Sequence, residues 1–301
     1  MKNKIKAMIK ANFAADSLAL GVHWIYDTEQ IKNSHGEVNQ LLPPEPGSYH
    51  STKNRGDFTH YGDQTLVLLE SVAASGGFNL NDFFMRWQHL FDSYEGYHDT
   101  ATKTTLKNIQ KGKGPETCGS LSEDMSAASR IAPLFLFHAN DPETLLEAVR
   151  AQTEMTHRGS TAVDAAQFFA RLGLACINGE APASAAVTIA DEHFEFSPIH
   201  MWVQQGIAAK DENPMEAIGR FGQACSTSEA FPGIIQLISK YEDNLSGTLV
   251  QAIMAGGENA ARARIVAMIL AAYQGLDNET QQWFQGLQKE ETINGFLEAA
   301  Q

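Results

Sequence analysis

Apolar positions recur along the chain at helical spacing, with short punctuation between runs. In the first segment Ile5, Met8, Ile9, Phe13 and Leu20 fall on one helical face, and Gly21 supplies a stop. Leu66, Leu69 and Val72 repeat the spacing ahead of Gly76-Gly77. Asn81 is a candidate cap for a helix carrying Phe84, Trp87, Leu90, Phe91 and Tyr94 inward. Asp141-Pro142 reads as a cap followed by an N1 proline, opening a helix with Leu145, Leu146 and Val149. Further helices are expected over 161–174, 215–225, 234–241, 249–255, 260–273 and 279–298. No run of alternating β-branched residues argues for a sheet. The long polar stretch from about Asn33 to Thr59, broken by Pro43, Pro44, Pro46 and Gly47, reads as a loop of the kind that often carries function. No linker, low-complexity tract or repeat divides residues 1–301, so the pattern predicts a single all-α domain, a compact helical bundle.

Composition adds exclusions more than identity. A net charge of −14 disfavours a general nucleic-acid surface, which needs clustered Lys and Arg. Cys118, Cys176 and Cys225 are too few and scattered for a disulfide framework, and no CxxC pair supports a zinc or redox site. Lys2, Lys4, Lys6 and Lys10 lie near the start, but Lys10 and Asp16 interrupt each apolar stretch, so neither a signal-peptide core nor a membrane span is expected. The reading is a cytoplasmic protein. Lys103, Lys107, Lys111 and Lys113 read as a solvated helix face.

Four separated segments resemble the ADP-ribosylglycohydrolase family, which includes the dinitrogenase-reductase-activating glycohydrolases and the lens J1 crystallins. Ala15-Asp16-Ser17-Leu18-Ala19 is similar to the family's Gly-Asp-Ala-Leu-Gly. Gly62-Asp63-Gln64-Thr65, before a leucine-rich helix, stands where the family usually has Thr-Asp-Asp-Thr. Ser129-Arg130-Ile131-Ala132-Pro133-Leu134 and Thr156-His157 match its Met-Arg-Ile-Ala-Pro-Leu and Thr-His signatures. Gly256-Gly257-Glu258-Asn259-Ala260-Ala261 stands where the family opens a late helix with Gly-Gly-Asp-x-Asp-Thr. Each segment is short, but their order spans nearly the whole chain. The resemblance implies an all-α fold of the ADP-ribosylglycohydrolase type, with a cleft for ADP-ribose beside two magnesium ions. Asp63 and Glu258 both fall at expected helix starts, which favour oxygen anions; two such starts meeting would suit a pyrophosphate, while ordinary capping explains either acid alone.

The chain departs from the family where the metals bind. Carried over position by position, the ligands become Gly62, Asp63 and Gln64, then Glu258, Ala260 and Ala261. Asp63 and Glu258 cannot balance two divalent ions between them, so the expectation is at most one weakly bound Mg2+, held by those two residues, and no binuclear centre. His23, inside His23-Trp24-Ile25-Tyr26-Asp27, replaces an acidic residue that gates the metals in many members, and histidine exchanges protons near neutrality without a metal. The catalytic candidates are Asp63, Glu258 and His23. The substrate-binding candidates are Trp24, Asp27, His60, Gln64, Asp99, His157 and Asn259. His157 either touches a ligand or caps a helix end, and Glu123 and Asp124 either face the cleft or form a solvated helix start. Arg130 reads as architectural.

Three functions stay open, because fold alone does not choose among them. One is a hydrolase that cuts a ribosyl glycosidic bond, or acts on a related small anionic or ADP-ribosylated substrate. The second is an inactive module binding ADP-ribose or a nucleotide, and the third is a crystallin-like structural protein. The replacements favour an enzyme, since they introduce reactive groups (His23, His60, Glu258) and not only Ala and Ser. Neither a nucleic acid nor a membrane is an expected partner, and the oligomeric state stays open.

Overall fold

In the computed structural model, which describes residues 1–300, the chain winds into seventeen helices and one 3₁₀ turn at Ala132–Leu134. The first half contains α1 (Lys2–Leu20), α2 (Thr28–His35), α3 (His60–Ser75), α4 (Leu80–Phe91), α5 (Thr100–Gln110), α6 (Ser126–Ser129), α7 (Phe135–His138) and α8 (Pro142–Glu154). The second half contains α9 (Ser160–Ile177), α10 (Pro182–His193), α11 (Pro198–Ala208), α12 (Pro214–Phe221), α13 (Thr227–Lys240), α14 (Leu245–Met254), α15 (Asn259–Gln274), α16 (Asn278–Gln285) and α17 (Glu290–Ala299). Among the described residues the only β features are two isolated bridges, Ser120 with His157 and Asp124 with Ser226. The all-α expectation therefore holds. No described helix is long and apolar enough to cross a membrane.

Helix α15 is the axis of the bundle. Every residue from Asn259 to Ala272 is buried, Arg262 and Arg264 included, so the helix shows almost no amphipathic face. Helix α1 runs along it, buried from Ala11 to Leu20, and α9, α13 and α14 close the other sides. Two arginines lie inside this core and are held by fixed partners, each with its Nη1 left without a hydrogen bond. Arg264 donates to Asn12 Oδ1 at 2.8 Å and to Thr65, and stands 3.6 Å from Asp16. Arg262 donates to the Ala252 carbonyl at 2.9 Å and to that of Gly256. Asp16 in turn accepts from the backbone N–H and the hydroxyl of Thr59, both at 2.8 Å, fixing where α3 begins.

Several helix boundaries differ from the sequence pattern: α13 begins at Thr227, well before the expected 234, and α12 ends at Phe221, short of 225. Asn79, not Asn81, caps α4, and Phe83 and Trp87 are its buried residues while Tyr94 lies beyond its end. The expected helix over 279–298 is two helices, parted at Gly286, which follows the end of α16. The loop after α2 begins at Gly36, so Asn33 still belongs to that helix.

Helices α11 and α13 cross at Gly206, where an added Cβ would come within 2.6 Å of both the Pro232 carbonyl oxygen and Ile235 Cβ. Helix propensity alone would make Gly206→Ala stabilising by about 1 kcal/mol. Because the contact is with backbone, the clash outweighs this, and a net destabilisation of roughly 1–3 kcal/mol is expected. Urea unfolding of the variant checks the sign; a raised midpoint would show that the crossing is looser than described.

Candidate functional site

The site is organised around the start of α15. Gly256 and Gly257 both take left-handed backbone, with φ of 69° and 66°, and a Cβ on Gly256 would come 2.8 Å from the Ile25 carbonyl oxygen. The glycine pair thereby lets the turn after α1 cross at close range. Trp24 N–H donates to the Gly257 carbonyl at 3.1 Å, and Gly257 N–H to that of Ile25 at 2.8 Å. Trp24 itself has φ 66°, the one positive φ at a non-glycine among the described residues. A bulky side chain in that conformation is strained, and its surroundings hold it there.

Glu258 caps α15, accepting from Ala261 N–H at 3.0 Å through Oε1. Its Oε2 accepts from Tyr61 Oη at 2.9 Å and Trp24 Nε1 at 3.0 Å, with His23 Nε2 3.7 Å away. Burial pushes the carboxyl above its usual range, and these donors pull it partly back. Behind it lies a stack of imidazoles: His23 against His50 at 5.2 Å between ring centres, and His50 against His60 at 5.5 Å. His23 Nδ1 pairs with Asn259 Oδ1 at 3.0 Å. Burial lowers His23 to about 3 and His50 to about 2, so both are neutral near pH 7.

A cavity of about 270 Å³ opens beside this node, lined by Trp24, Tyr61, Tyr97, Asp99, Glu123, Asp124 and Cys225 among others. Two of its acids are driven apart. Burial works against the Asp99 carboxylate, but the His60 ring, 3.3 Å from its Oδ2, and the Thr102 N–H at 2.5 Å outweigh it and hold the group well below the usual range. Asp124 has only the Ser126 N–H, at 2.8 Å, and the adjacent Cys225 thiol as support. Burial first, then repulsion by Glu258 and Asp99, raise it to about 7. One cavity thus holds an ionised carboxylate and another that keeps its proton close to neutrality.

The structure brings some of the expected residues together and separates others. Trp24 and Asp99 line the cavity, while Glu258, His23, His60 and Asn259 form the layer behind its wall. Asp63 lies in a different depression, bonded to Lys53 Nζ and Tyr94 Oη, each at 2.5 Å. Helical geometry separates it from the cleft, because a residue two positions after Tyr61 points to nearly the opposite side of the helix. Gln64 is a core residue, accepting from Trp87 Nε1 at 2.8 Å and Arg130 Nη1 at 2.9 Å. Arg130 also binds Gln152 and Thr156, as an architectural residue should. Asp27 is exposed and caps α2 through Glu29 and Gln30. His157 is buried against Thr156 Oγ1 at 2.9 Å and Ser126 Oγ at 3.3 Å, outside the cavity lining.

The residues at the α3 start that reach this site are Thr59, His60 and Tyr61, three positions upstream of Gly62, Asp63 and Gln64. Thr59 is the N-cap held by Asp16, His60 faces Asp99, and Tyr61 meets Glu258. A hard dication needs carboxylate and neutral oxygens around one point. Here the one acid at the α15 start already receives a hydroxyl and an indole N–H on the same oxygen, and both donors would have to leave for an ion to bind. No cluster of three His, Cys, Asp or Glu side chains suited to a metal occurs among the described residues. The donor set does not fit a binuclear magnesium centre.

Asp124, His50 and Cys225 carry little signal in the sequence. Asp124 resembles a solvated helix start, His50 lies in an irregular loop although only 1% exposed, and Cys225 is half-buried on the cavity wall. Charge next to Glu123 offered the one hint for Asp124.

With the geometry in place, comparisons with known proteins agree on the fold. The ADP-ribosylglycohydrolase family model matches residues 1–300. Crystallin J1A of Tripedalia cystophora is 26% identical over 297 aligned residues, covering 91% of this chain and 88% of its own. Crystallin J1B of the same organism is 25% identical over 298, covering 91% and 89%. A solved structure described as an ADP-ribosylglycohydrolase-related protein complex superposes with a TM-score of 0.74 at 17% identity, covering 99% of this chain and 97% of that one.

The Asp124 carboxyl titrates at about 7 when folded, against about 3.9 in an unfolded chain. Between those values the folded state keeps a proton the unfolded state has lost, so this group makes folding less favourable as pH rises from about 4 to about 7. Asp124→Asn should therefore match the parent near pH 4 and exceed it at pH 8, by up to a few kcal/mol. Chemical denaturation at the two pH values decides this. A variant weaker than the parent at pH 8 would mean that the ionised carboxylate supports the fold.

Proposed function

This chain belongs to the ADP-ribosylglycohydrolase family, and from that premise we propose that it hydrolyses a ribosyl glycosidic bond without a metal centre. One observation carries the reading: Asp99 and Asp124 share a cavity while their environments favour opposite protonation states. Divergent carboxyls in one site are the usual division of labour in glycoside hydrolysis.

In this reading the protonated Asp124 gives its proton to the leaving atom as the glycosidic bond breaks. Asp99, kept ionised beside His60, faces the positive charge growing on the ribosyl ring. It accepts a proton from the water that attacks the anomeric carbon. Trp24 and Tyr97 present aromatic faces to the ring. Glu258 and His23 act from behind: Glu258 fixes the Trp24 indole and the Tyr61 hydroxyl, and repels Asp124 into its protonated form. His23 orients Asn259 and the α15 start.

A second reading, a protein that keeps the fold without catalysis, is favoured by the likeness to two proteins named crystallins. The two readings separate in a single experiment, with ribosides of different leaving groups incubated with and without a chelator. Hydrolysis should persist with chelator present. Asp124→Asn and Asp99→Asn should each lower kcat by roughly 10²–10⁴-fold; Asp124→Asn should do so without lowering the melting temperature at pH 8, whereas Asp99→Asn, which gives up the pairing with His60, should lower it. Activity that vanishes with the chelator and returns with magnesium would sink the metal-free mechanism. Binding without turnover would favour the second reading.

A further inference from the structure

We propose that residues 44–53 form a strap closed over the aromatic wall of the cavity, and that a proton taken up by His50 on mild acidification releases it. This concerns a conformational equilibrium, so it stands whether or not the protein is a hydrolase.

The strap is tied down by side chains alone. On either side of it the backbone is anchored: the Asn39 carbonyl accepts from Trp283 Nε1 at 2.9 Å, and that of Gly56 from Gln288 N–H at 3.0 Å. Within the strap, Ser48 N–H donates to the Glu45 carbonyl, Ser51 N–H to that of Ser48 and Lys53 N–H to that of His50. Among the described residues no backbone hydrogen bond links 44–53 to another segment. What crosses to the rest of the molecule is Glu45 with His35 at 3.2 Å, Lys53 with Asp63 at 2.5 Å, and two rings. The Tyr49 ring sits 5.0 Å from that of Trp24 and 5.3 Å from that of Tyr97, both of which line the cavity. His50 goes deeper, against the rings of His23, His60 and Trp24.

Nothing in the closed position welcomes a charge on His50. Its side chain is buried, yet neither ring nitrogen has a hydrogen-bond partner. The neutral ring already leaves its N–H unanswered, and an imidazolium would leave two. Burial, then His23 from the turn after α1, His60 from the start of α3 and Lys53 from the strap itself, lower the group to about 2. The carboxylates around it are engaged elsewhere: Asp99 with His60 and Thr102, Glu258 with Trp24, Tyr61 and Ala261, and Asp63 with Lys53 and Tyr94. Tyr97 stands edge-to-face at 6.3 Å between ring centres and brings no negative charge near neutrality.

Lifted into water, the same imidazole titrates at about 6.5. By linkage, the open strap binds a proton that the closed strap refuses. Closure is therefore at full strength above about pH 6.5, and its equilibrium constant falls by up to about tenfold for each pH unit below. With the strap open, Trp24 loses the two rings that brace its left-handed backbone, and the aromatic wall of the cavity meets solvent.

The test is chymotrypsin cleavage of the intact protein after Tyr49, since cutting beside a buried His50 requires the strap to lift. Rates at pH 6 and pH 8 are each divided by the rate on a free peptide of residues 44–53, which removes the protease's own pH dependence. The normalised rate should be about fourfold higher at pH 6. Cleavage after Phe196, 96% exposed in the turn between α10 and α11, is the internal reference and should not change. His50→Phe keeps a ring in the stack and takes no proton, so it should remove the pH dependence at Tyr49; His50→Gln should do the same if the larger ring does not pack. A parent rate indifferent to pH, a rise that survives these substitutions, or a rise shared by Phe196 would each overturn the proposal.

Discussion

The Glu258 carboxylate faces a demand that organises its surroundings: it stands at the start of a helix that is buried on every side. Water cannot reach the first N–H groups of α15, so a side chain must. Glu258 answers with one oxygen and leaves the other for Trp24 and Tyr61. Three distant parts of the chain, the turn after α1, the start of α3 and the start of α15, are thereby fixed to a single carboxylate. Leaving that oxygen unsatisfied would cost about 1–3 kcal/mol, which makes the arrangement cooperative.

The strain at Trp24 follows from the same demand. To reach Glu258 its indole must come off a left-handed backbone, and the paired glycines opposite make room for that turn. Asp16 plays a matching part on the other side, holding Thr59 so that His60 and Tyr61 face the site. Around Glu258, one of the positions where the family resemblance implies a metal ligand, this chain gathers a phenol and an indole that donate to the acid and an imidazole 3.7 Å from it. Hydrogen bonds do the organising that ions would otherwise do.

That substitution leaves the local charge negative. The cavity acids respond in the two ways available to buried carboxylates: Asp99 finds a partner in His60 and stays ionised, and Asp124, without one, takes up a proton. Division of the pair into base and acid is a consequence of which neighbours survived around each group, not of any difference between two aspartates.

The sequence by itself determined the helical architecture. Residues spaced three and four apart in α1, α3 and α8, with caps such as Asp141-Pro142, are local signals, because helical hydrogen bonds and same-face neighbours join residues only three or four apart in the chain. It also marked Glu258, His23, Trp24, Asp99 and Arg130, because motif position and residue chemistry are visible along the chain. Only the tertiary structure decided that Asp63 belongs with Lys53 and Tyr94, and that the α3 start contributes Thr59, His60 and Tyr61. A shift of two or three residues reverses which face of a helix meets the cleft, and nothing short of packing fixes that rotation. His50 and Cys225 were illegible, and Asp124 was left undecided between the cleft and a solvated helix start, for a related reason. Each lies in irregular backbone whose path is set by distant contacts: Met125 with Cys225, and the 36–59 loop folding His50 onto His23. Their protonation and chemistry come from burial beside other groups, which no window of sequence records.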